Sequence, residues 1–170
     1  MVSAALLMSK KINSPVALLF VCFGNICRSP VFAALLRHFI REDQKERRCI
    51  VDSCGLNATF TGAPPHQQMQ EIARQRNIAL EGRARVFTPS DFSHFTAIFG
   101  VTKEVVARIR ALATTEEEQR KVFLATHFSA NYRDEDIPDP YYYGQPSSFE
   151  AVWEIIEDAA KGIYTQYVGK

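Results

Sequence analysis

Four short apolar runs alternate along the chain with stretches whose apolar residues recur at helical spacing. The runs are LLFV at 18–21, IV at 50–51, AIF at 97–99 and VFL at 122–124, and each predicts a buried strand. Between them, apolar residues three and four positions apart predict amphipathic helices. Alternating strands and helices are typical of a parallel sheet covered on both faces. We therefore predict a doubly wound, four-stranded α/β fold.

Capping signals predict where three of the helices begin and which faces they bury. Ser29 is followed directly by a proline, which predicts a helix that starts with Ser29 as its N-cap. Thr102 is the predicted cap of the helix in TKEVVARIRAL, whose inward face should include Leu112. Ser147 and Glu150 have the spacing of a capping box at the start of the last helix.

The length of the chain and its charge balance narrow the class of protein. With 170 residues the chain fits one domain, which we place at 15–170 behind a flexible tail at 1–14. No apolar run approaches the length of a membrane span. The 20 basic and 19 acidic residues give a net charge of +1, which favours neither nucleic acid nor an anionic membrane as partner.

Four cysteines lie in the first third of the chain, at 22, 27, 49 and 54. A secreted scaffold stapled by disulfides would distribute its cysteines more widely, so we expect reduced thiols and a cytoplasmic location. The spacings within the two cysteine pairs are wider than in most zinc sites, and no histidine is near them in sequence. We therefore expect no metal and no other cofactor.

The segment CFGNICR joins the first predicted strand to the first predicted helix. A short loop in this position turns successive backbone N–H groups inward and forms a concave anion-binding site. The helix N-terminus adds a positive dipole. Gly24 lowers the cost of the unusual backbone angles, and Arg28 offers a planar fork for two phosphate oxygens. The loop is therefore expected to hold a tetrahedral dianion.

Cys22 stands at the start of this electropositive loop. Such surroundings lower the pKa of a cysteine from about 8.5 to roughly 3.5–7.5, which makes its thiolate an activated nucleophile. A nucleotide-binding phosphate loop would carry a lysine followed by serine or threonine, and CFGNICRS lacks that lysine. The pattern indicates covalent catalysis on a phosphate ester.

VCFGNICRSP resembles the signature of the low-molecular-weight protein tyrosine phosphatases, and DPYYYG resembles their second motif. VDSCG, the turn at 62–65, RAR at 83–85 and the strand order also match, so the resemblance extends from 16 to about 167. It implies a sheet of four parallel strands with the first strand central. It also implies hydrolysis of phosphotyrosine in proteins through a cysteinyl-phosphate intermediate, without a metal.

The resemblance assigns roles to individual residues. Cys22 is the expected nucleophile, Arg28 the phosphate clamp, and Asp139 the general acid that later serves as base. On the loop alone, a solvated turn residue is the preferred interpretation of Asp139, and the resemblance reverses that preference. The expected phosphate-binding residues are Phe23, Gly24, Asn25, Ile26, Cys27 and Arg28. The residues expected to support the loop and the thiolate are Asn25, Ser29 and Ser53.

An aromatic cleft would suit a phosphotyrosine ring. The expected lining residues are Phe23, Ile26, Phe60, Tyr141 and Tyr142. Members of the family usually have two tyrosines before the glycine of the second motif, whereas this chain has three, at 141–143. His66 and Gln68 occupy a turn that usually carries Asp and Arg.

Cys27 is the expected redox partner of Cys22. A second thiol within reach of an oxidised nucleophile condenses with it to a disulfide that a reductant can reverse, and the family resemblance implies the same pairing. Cys54 is the competing partner.

Three rival functions are open to a chain with this loop. Arsenate reduction would need further thiols after the third strand, and no cysteine follows Cys54. Phosphoarginine phosphatases of the family carry threonine where Ile26 stands. A silent phosphate-binding adaptor would have no need to keep Cys22, Arg28 and Asp139 together.

Overall fold

The computed structural model describes residues 14–143 and 146–169, apart from the side chains at 143, 146 and 147. Its described strands are β1 (Val16–Cys22), β2 (Cys49–Gly55), β3 (Ala97–Gly100) and β4 (Val122–Leu124). All neighbouring pairs are parallel, in the order β2-β1-β3-β4. The expected four-stranded parallel sheet is confirmed, and β1 has a strand on each side.

Helices connect the strands and cover the sheet. They are α1 (Arg28–Glu42), α2 (Gln67–Gln75), α3 (Asp91–His94), α4 (Lys103–Leu112), α5 (Glu116–Arg120), α6 (Pro140–Tyr143) and α7 (Pro146–Tyr167), with short 3₁₀ turns at Glu46–Arg48 and Ala125–Phe128. The chain moves in one direction across the sheet from β1 to β2, and in the other from β3 to β4. Because such crossovers are right-handed, α1 and α4 lie on opposite faces of the sheet. Helix α7 packs against α1.

The core is centred on β1, whose residues 18–21 are fully buried as a strand covered on both faces should be. The ring of Phe20 stacks on Phe32 of α1 at a centroid distance of 5.0 Å and on Phe99 of β3 at 5.2 Å. Helix α7 contributes a buried stripe that includes Trp153. Each large apolar side chain buried here contributes about 1.5–3 kcal/mol, so the end of β1 is rigidly held.

Two expectations about helix ends are wrong and one is confirmed. Helix α1 begins at Arg28 with Cys27 at the N-cap position, so Ser29 lies inside the helix, where its hydroxyl is free for other bonds. Leu112, the last residue of α4, is 48% exposed, and the buried face of that helix ends one turn earlier. Thr102 caps α4 as expected, because its hydroxyl accepts a backbone N–H of the first turn.

The expected N-terminal tail and the expected capping box of the last helix lie partly outside the residues that the structure describes. The expected tail at 1–14 lies almost entirely in residues 1–13, which are outside the described residues. The expected capping box pairs Ser147 with Glu150, and the side chain of Ser147 also lies outside the described residues. The carboxylate of Glu150 accepts a hydrogen bond from Arg76 at 2.8 Å. In the part of the chain that the structure describes, no helix has the length and apolar character needed to cross a bilayer.

Candidate active site

The loop between Cys22 and Arg28 leaves the carboxyl end of β1 and is packed tightly against the end of β2. Leu56 donates its backbone N–H to the carbonyl oxygen of Phe23 at 2.9 Å. A Cβ atom at Gly55 would lie 2.8 Å from that same oxygen and 3.0 Å from the backbone nitrogen of Asn25. Only glycine allows this approach of two backbones. Sequence analysis missed this role, since Gly55 entered it only as the last residue of the VDSCG match.

The left-handed residue of the loop is Asn25, with a φ of 57°, and not Gly24. Asparagine is one of the few side chains that adopts this conformation readily. Gly24 is required for space instead, because a Cβ atom there would lie 2.8 Å from the ring of Phe60. The sequence-based reason for Gly24 is therefore wrong.

The side chain of Asn25 holds this turn in place. Its amide nitrogen Nδ2 donates to the hydroxyls of Ser29 and Ser53, each at 2.9 Å. Its oxygen Oδ1 accepts the backbone N–H of Arg85 at 3.0 Å. The guanidinium of Arg85 is in turn held by both oxygens of Asp91 at 3.1 Å. Sequence analysis included Arg85 in the RAR match but gave it no role, because a backbone N–H carries no signal in the sequence.

The thiol of Cys22 is surrounded by polar groups that can stabilise a thiolate. Its Sγ lies 3.0 Å from the hydroxyl of Ser29 and accepts the backbone N–H of Asn25 at 3.2 Å. The same hydroxyl lies 3.2 Å from the carbonyl oxygen of Cys54. Asn25, Ser29 and Ser53 thus form one hydrogen-bonded group beneath the sulfur, consistent with the support that the family resemblance implies.

Arg28 is buried at the opposite side of the loop. Its Nη1 donates to the carbonyl oxygen of Ile137 at 2.9 Å, and its Nη2 donates to Oδ2 of Asp139 at 3.2 Å. Its Nε has no hydrogen-bond partner among the described residues, although it is buried. An unpartnered buried N–H is costly, and on a guanidinium it favours an anion beside it.

The segment that carries Asp139 is anchored to the end of β3. Ile137 is fully buried and donates its N–H to the carbonyl oxygen of Val101 at 3.1 Å. Asp136 accepts the backbone N–H of Lys103 at 2.8 Å, at the start of α4. Asp139 accepts the N–H of Tyr141 through Oδ1 at 3.1 Å. The carboxylate of Asp139 therefore lies at the cleft, whereas that of Asp136 is bound elsewhere.

The loop, the acid and the aromatic side chains enclose a cleft of about 260 Å³. Its lining includes the five residues expected in the substrate pocket, Phe23, Ile26, Phe60, Tyr141 and Tyr142. The rings of Phe60 and Tyr141 meet edge-on at 5.5 Å, and Tyr142 is 73% exposed at the rim. Asn25, whose side chain points to Ser53 and Ser29, supports the cleft from below.

The other thiols differ from Cys22 in their surroundings. Burial raises the pKa of Cys27, and the charges of Asp139 and Cys22 raise it further, so Cys27 remains a thiol at the side of the cleft. Burial also raises the pKa of Cys54 well above its usual range and that of Cys49 to about 11. All four cysteines are unpaired. Within the described ranges, no group of three or more His, Cys, Asp or Glu side chains could hold a metal ion.

Residues 17–170 match the family model described as low molecular weight phosphotyrosine protein phosphatase. A putative low molecular weight protein-tyrosine-phosphatase of Synechocystis sp. is 34% identical over 87% of this chain and 94% of its own. The low molecular weight protein-tyrosine-phosphatase YfkJ of Bacillus subtilis is 33% identical over 84% of this chain and 89% of its own.

Solved structures agree with this match. A protein tyrosine phosphatase from Entamoeba histolytica, with Hepes in its active site, has a TM-score of 0.83 at 29% identity and covers 89% of this chain and 96% of its own. YfkJ has a TM-score of 0.83 at 30% identity, covering 90% and 94%. A Drosophila arginine phosphatase has a TM-score of 0.82 at 27% identity, covering 89% and 97%.

Proposed function

The chain belongs to the low molecular weight phosphotyrosine protein phosphatase family, and we propose that it hydrolyses phosphotyrosine in proteins with Cys22 as nucleophile, Arg28 as phosphate clamp and Asp139 as acid and base. One observation carries this assignment. Cys22, Arg28 and Asp139 all line one cleft with aromatic walls. The buried Nε of Arg28 there has no partner among the described residues.

In the first step, the thiolate of Cys22 attacks phosphorus and the bond from phosphorus to the phenolic oxygen breaks. Backbone N–H groups of the loop and the guanidinium of Arg28 bind the phosphate oxygens, where they stabilise charge in a loose transition state. When the substrate is bound, Arg28 binds the phosphate in place of Asp139. Protonated Asp139 gives its proton to the departing phenolate.

In the second step, the carboxylate of Asp139 takes a proton from water, and the water oxygen attacks the cysteinyl phosphate. The sulfur–phosphorus bond breaks, inorganic phosphate is released, and Cys22 is again a thiolate. The hydroxyl of Ser29 and the N–H of Asn25 stabilise the departing sulfur, since both lie within hydrogen-bonding distance of it.

The shape of the cleft favours an aromatic ester. Phe60, Tyr141 and Tyr142 give it an apolar rim above a charged floor, which suits a phenyl ring over a phosphate. Phosphoarginine is the second candidate, because the Drosophila arginine phosphatase has the same fold. Ile26, which stands where such enzymes carry threonine, supports tyrosine.

The same chemistry indicates the partners of the protein and its location. Phosphotyrosine-containing proteins are the proposed substrates, without nucleic acid or membrane as partner. The four unpaired cysteines support a reducing compartment such as the cytoplasm.

A direct assay tests the substrate assignment. The purified protein is given one peptide in three forms, bearing phosphotyrosine, phosphoserine or phosphoarginine, and released phosphate is measured. We expect phosphotyrosine to give a kcat/KM at least about tenfold above either alternative, a difference of roughly 1.4 kcal/mol in transition-state binding. Faster release from phosphoarginine would overturn the choice of tyrosine, and no release from any peptide would overturn the enzymatic function.

A further inference from the structure

His66 lies where three parts of the active site meet, and the mechanism above does not use it. Its backbone N–H donates to the carbonyl oxygen of Ile26 in the phosphate-binding loop at 2.8 Å. Its ring stacks on Phe149 of α7, with centroids 4.7 Å apart and planes inclined by 25°. The same ring meets Tyr141 edge-on, with centroids 5.9 Å apart and planes at 88°.

The ring of His66 is fixed in orientation and neutral. Its Nδ1 accepts the backbone N–H of Gln68 at 3.2 Å and so caps the start of α2, which requires that nitrogen to be unprotonated. Burial lowers the pKa of His66, against the opposing effect of the Asp139 carboxylate. Phe149 is almost fully buried, so the surface on which the imidazole stacks cannot shift easily.

Few other residues in the described part of the chain support the ring of Tyr141. It belongs to the single turn of α6, and its residue is 46% exposed. Phe60 contacts its ring edge-on, and Tyr142 does so from the exposed rim. Its backbone N–H donates to Asp139, which fixes the main chain but not the ring. The ring is therefore positioned by its neighbours. Among these neighbours, Phe60 also packs against the core, and His66 connects Tyr141 to it through the ring stack on α7.

We propose that His66 is a positioning residue that holds the ring of Tyr141 as a wall of the cleft and thereby sets the preference of the enzyme for aromatic phosphoesters. This inference rests on the proposed function, because it takes the cleft around Cys22 to be the binding site. His66 acts through Tyr141, so its loss should weaken the binding of an aryl group and leave the binding of phosphate itself unchanged.

Binding of two uncleavable probes separates these effects. Calorimetry gives dissociation constants for benzylphosphonate, which has an aryl ring, and for inorganic phosphate, which has none. His66→Asn keeps a capping side chain but removes the ring, and should weaken benzylphosphonate roughly three- to tenfold. Phosphate affinity should change by less than about twofold, which also shows that the loop is folded. His66→Phe keeps a ring but loses the cap of α2. Its benzylphosphonate affinity should stay close to that of the wild type.

A double-mutant cycle tests whether His66 acts through Tyr141. Tyr141→Ala should weaken benzylphosphonate on its own, and adding His66→Asn to it should then change the affinity by less than about twofold. Additive losses would overturn the inference. So would an unchanged affinity in His66→Asn, an equal loss of both probes, or a His66→Phe variant no better than His66→Asn.

These outcomes are distinguishable from a failure of the proposed function. If wild-type protein hydrolyses no phosphotyrosine peptide but the His66 and Tyr141 variants change benzylphosphonate affinity as expected, the proposed function fails while the role of His66 in the cleft stands. If wild-type protein shows no preference for benzylphosphonate, the role assigned to His66 fails whatever the catalytic result.

Discussion

Arg28 and Asp139 form an ion pair across the cleft, with Nη2 of the guanidinium 3.2 Å from Oδ2 of the carboxylate. The two residues are 111 positions apart in sequence and come together where α1 begins and the segment before α6 ends. The pair joins the group that would bind the phosphate to the group that would protonate the leaving phenolate. A phosphate that entered the cleft would compete with Asp139 for Arg28, which would couple binding to proton transfer.

The clamp depends on the planar geometry of Arg28. In the wild type, the two prongs of the Arg28 guanidinium donate to Ile137 and Asp139. Arg28→Lys keeps the charge but loses this planar fork. We expect kcat/KM for an aryl phosphate to fall by a factor of about a hundred or more, almost as far as in Arg28→Ala. Steady-state kinetics on both variants measure this, and nearly full activity in Arg28→Lys would remove Arg28 from the role of clamp.

Cys22→Ser should abolish turnover and preserve the fold. A serine hydroxyl fits between Ser29 and the N–H of Asn25, but this loop does not ionise it, so the nucleophile is lost. Circular dichroism should match the wild type, and inorganic phosphate should still bind. Turnover near the wild-type rate would contradict the assignment of Cys22.

Asp139→Asn should make the rate depend strongly on the leaving group. An amide cannot protonate the departing oxygen, so esters of weakly acidic phenols should slow by about a hundredfold or more, and esters of strongly acidic phenols far less. Rates over a series of aryl phosphates measure the dependence.

Asp136→Asn is the matched control for Asp139→Asn. Its carboxylate binds the N–H of Lys103 and not the cleft, so the wild-type leaving-group dependence should persist. If Asp136→Asn instead showed the stronger dependence, Asp136 would be the acid.

Peroxide should inactivate the enzyme reversibly through a bond between Cys22 and Cys27. The thiolate of Cys22 attacks one peroxide oxygen, which gives a sulfenic acid and hydroxide. The sulfur of Cys27 then attacks that of Cys22, so that a disulfide forms and water leaves. Both sulfurs belong to residues that line the cleft, and the raised pKa of Cys27 leaves Cys22 as the residue that peroxide attacks first.

Variants and peptide mapping test this reaction. Wild-type activity should return with a thiol reductant, bound phosphate should protect, and Cys27→Ser should be inactivated irreversibly. Cys49→Ser is the control and should behave as wild type. Full recovery of Cys27→Ser, or a mapped bond from Cys22 to Cys54, would show that Cys27 serves only in packing.

Acid should destabilise the fold partly through His66. Burial lowers the pKa of His66 below its ordinary value of 6.5, and the titratable groups facing it are Asp139 and Tyr141. Above pH 6.5 the residue is neutral in both the folded and the unfolded state. As the pH falls below 6.5, the unfolded chain binds the proton first, so the free energy of unfolding decreases until the folded state is protonated too.

Denaturant unfolding between pH 5 and 8 measures this dependence. His66→Asn should flatten the decline below pH 6.5, while the exposed His94→Asn should not. Equal slopes for wild type and His66→Asn would show that His66 does not contribute to the acid sensitivity.

The sequence alone was sufficient for those features that depend on neighbouring residues. The apolar run that became β1, the cap at Thr102 and the loop from Cys22 to Arg28 are all encoded by positions a few residues apart. Strand and helix patterns have short periods, so they can be read locally. The roles proposed for Cys22 and Arg28 follow from the chemistry of a thiol and a guanidinium at the two ends of a loop suited to anions.

Tertiary structure decided the features that depend on distant parts of the chain. It placed Asp139 against Arg28, made Asn25 the left-handed residue in place of Gly24, and left the hydroxyl of Ser29 to the thiol instead of the helix end. It also brought His66 beside Tyr141. Each of these contacts depends on how α1, β2 and the segments after β3 and β4 pack around the end of β1. The residues of these contacts are between seven and 111 positions apart. The choice among local alternatives was made by the space and the hydrogen-bond partners that packing left available.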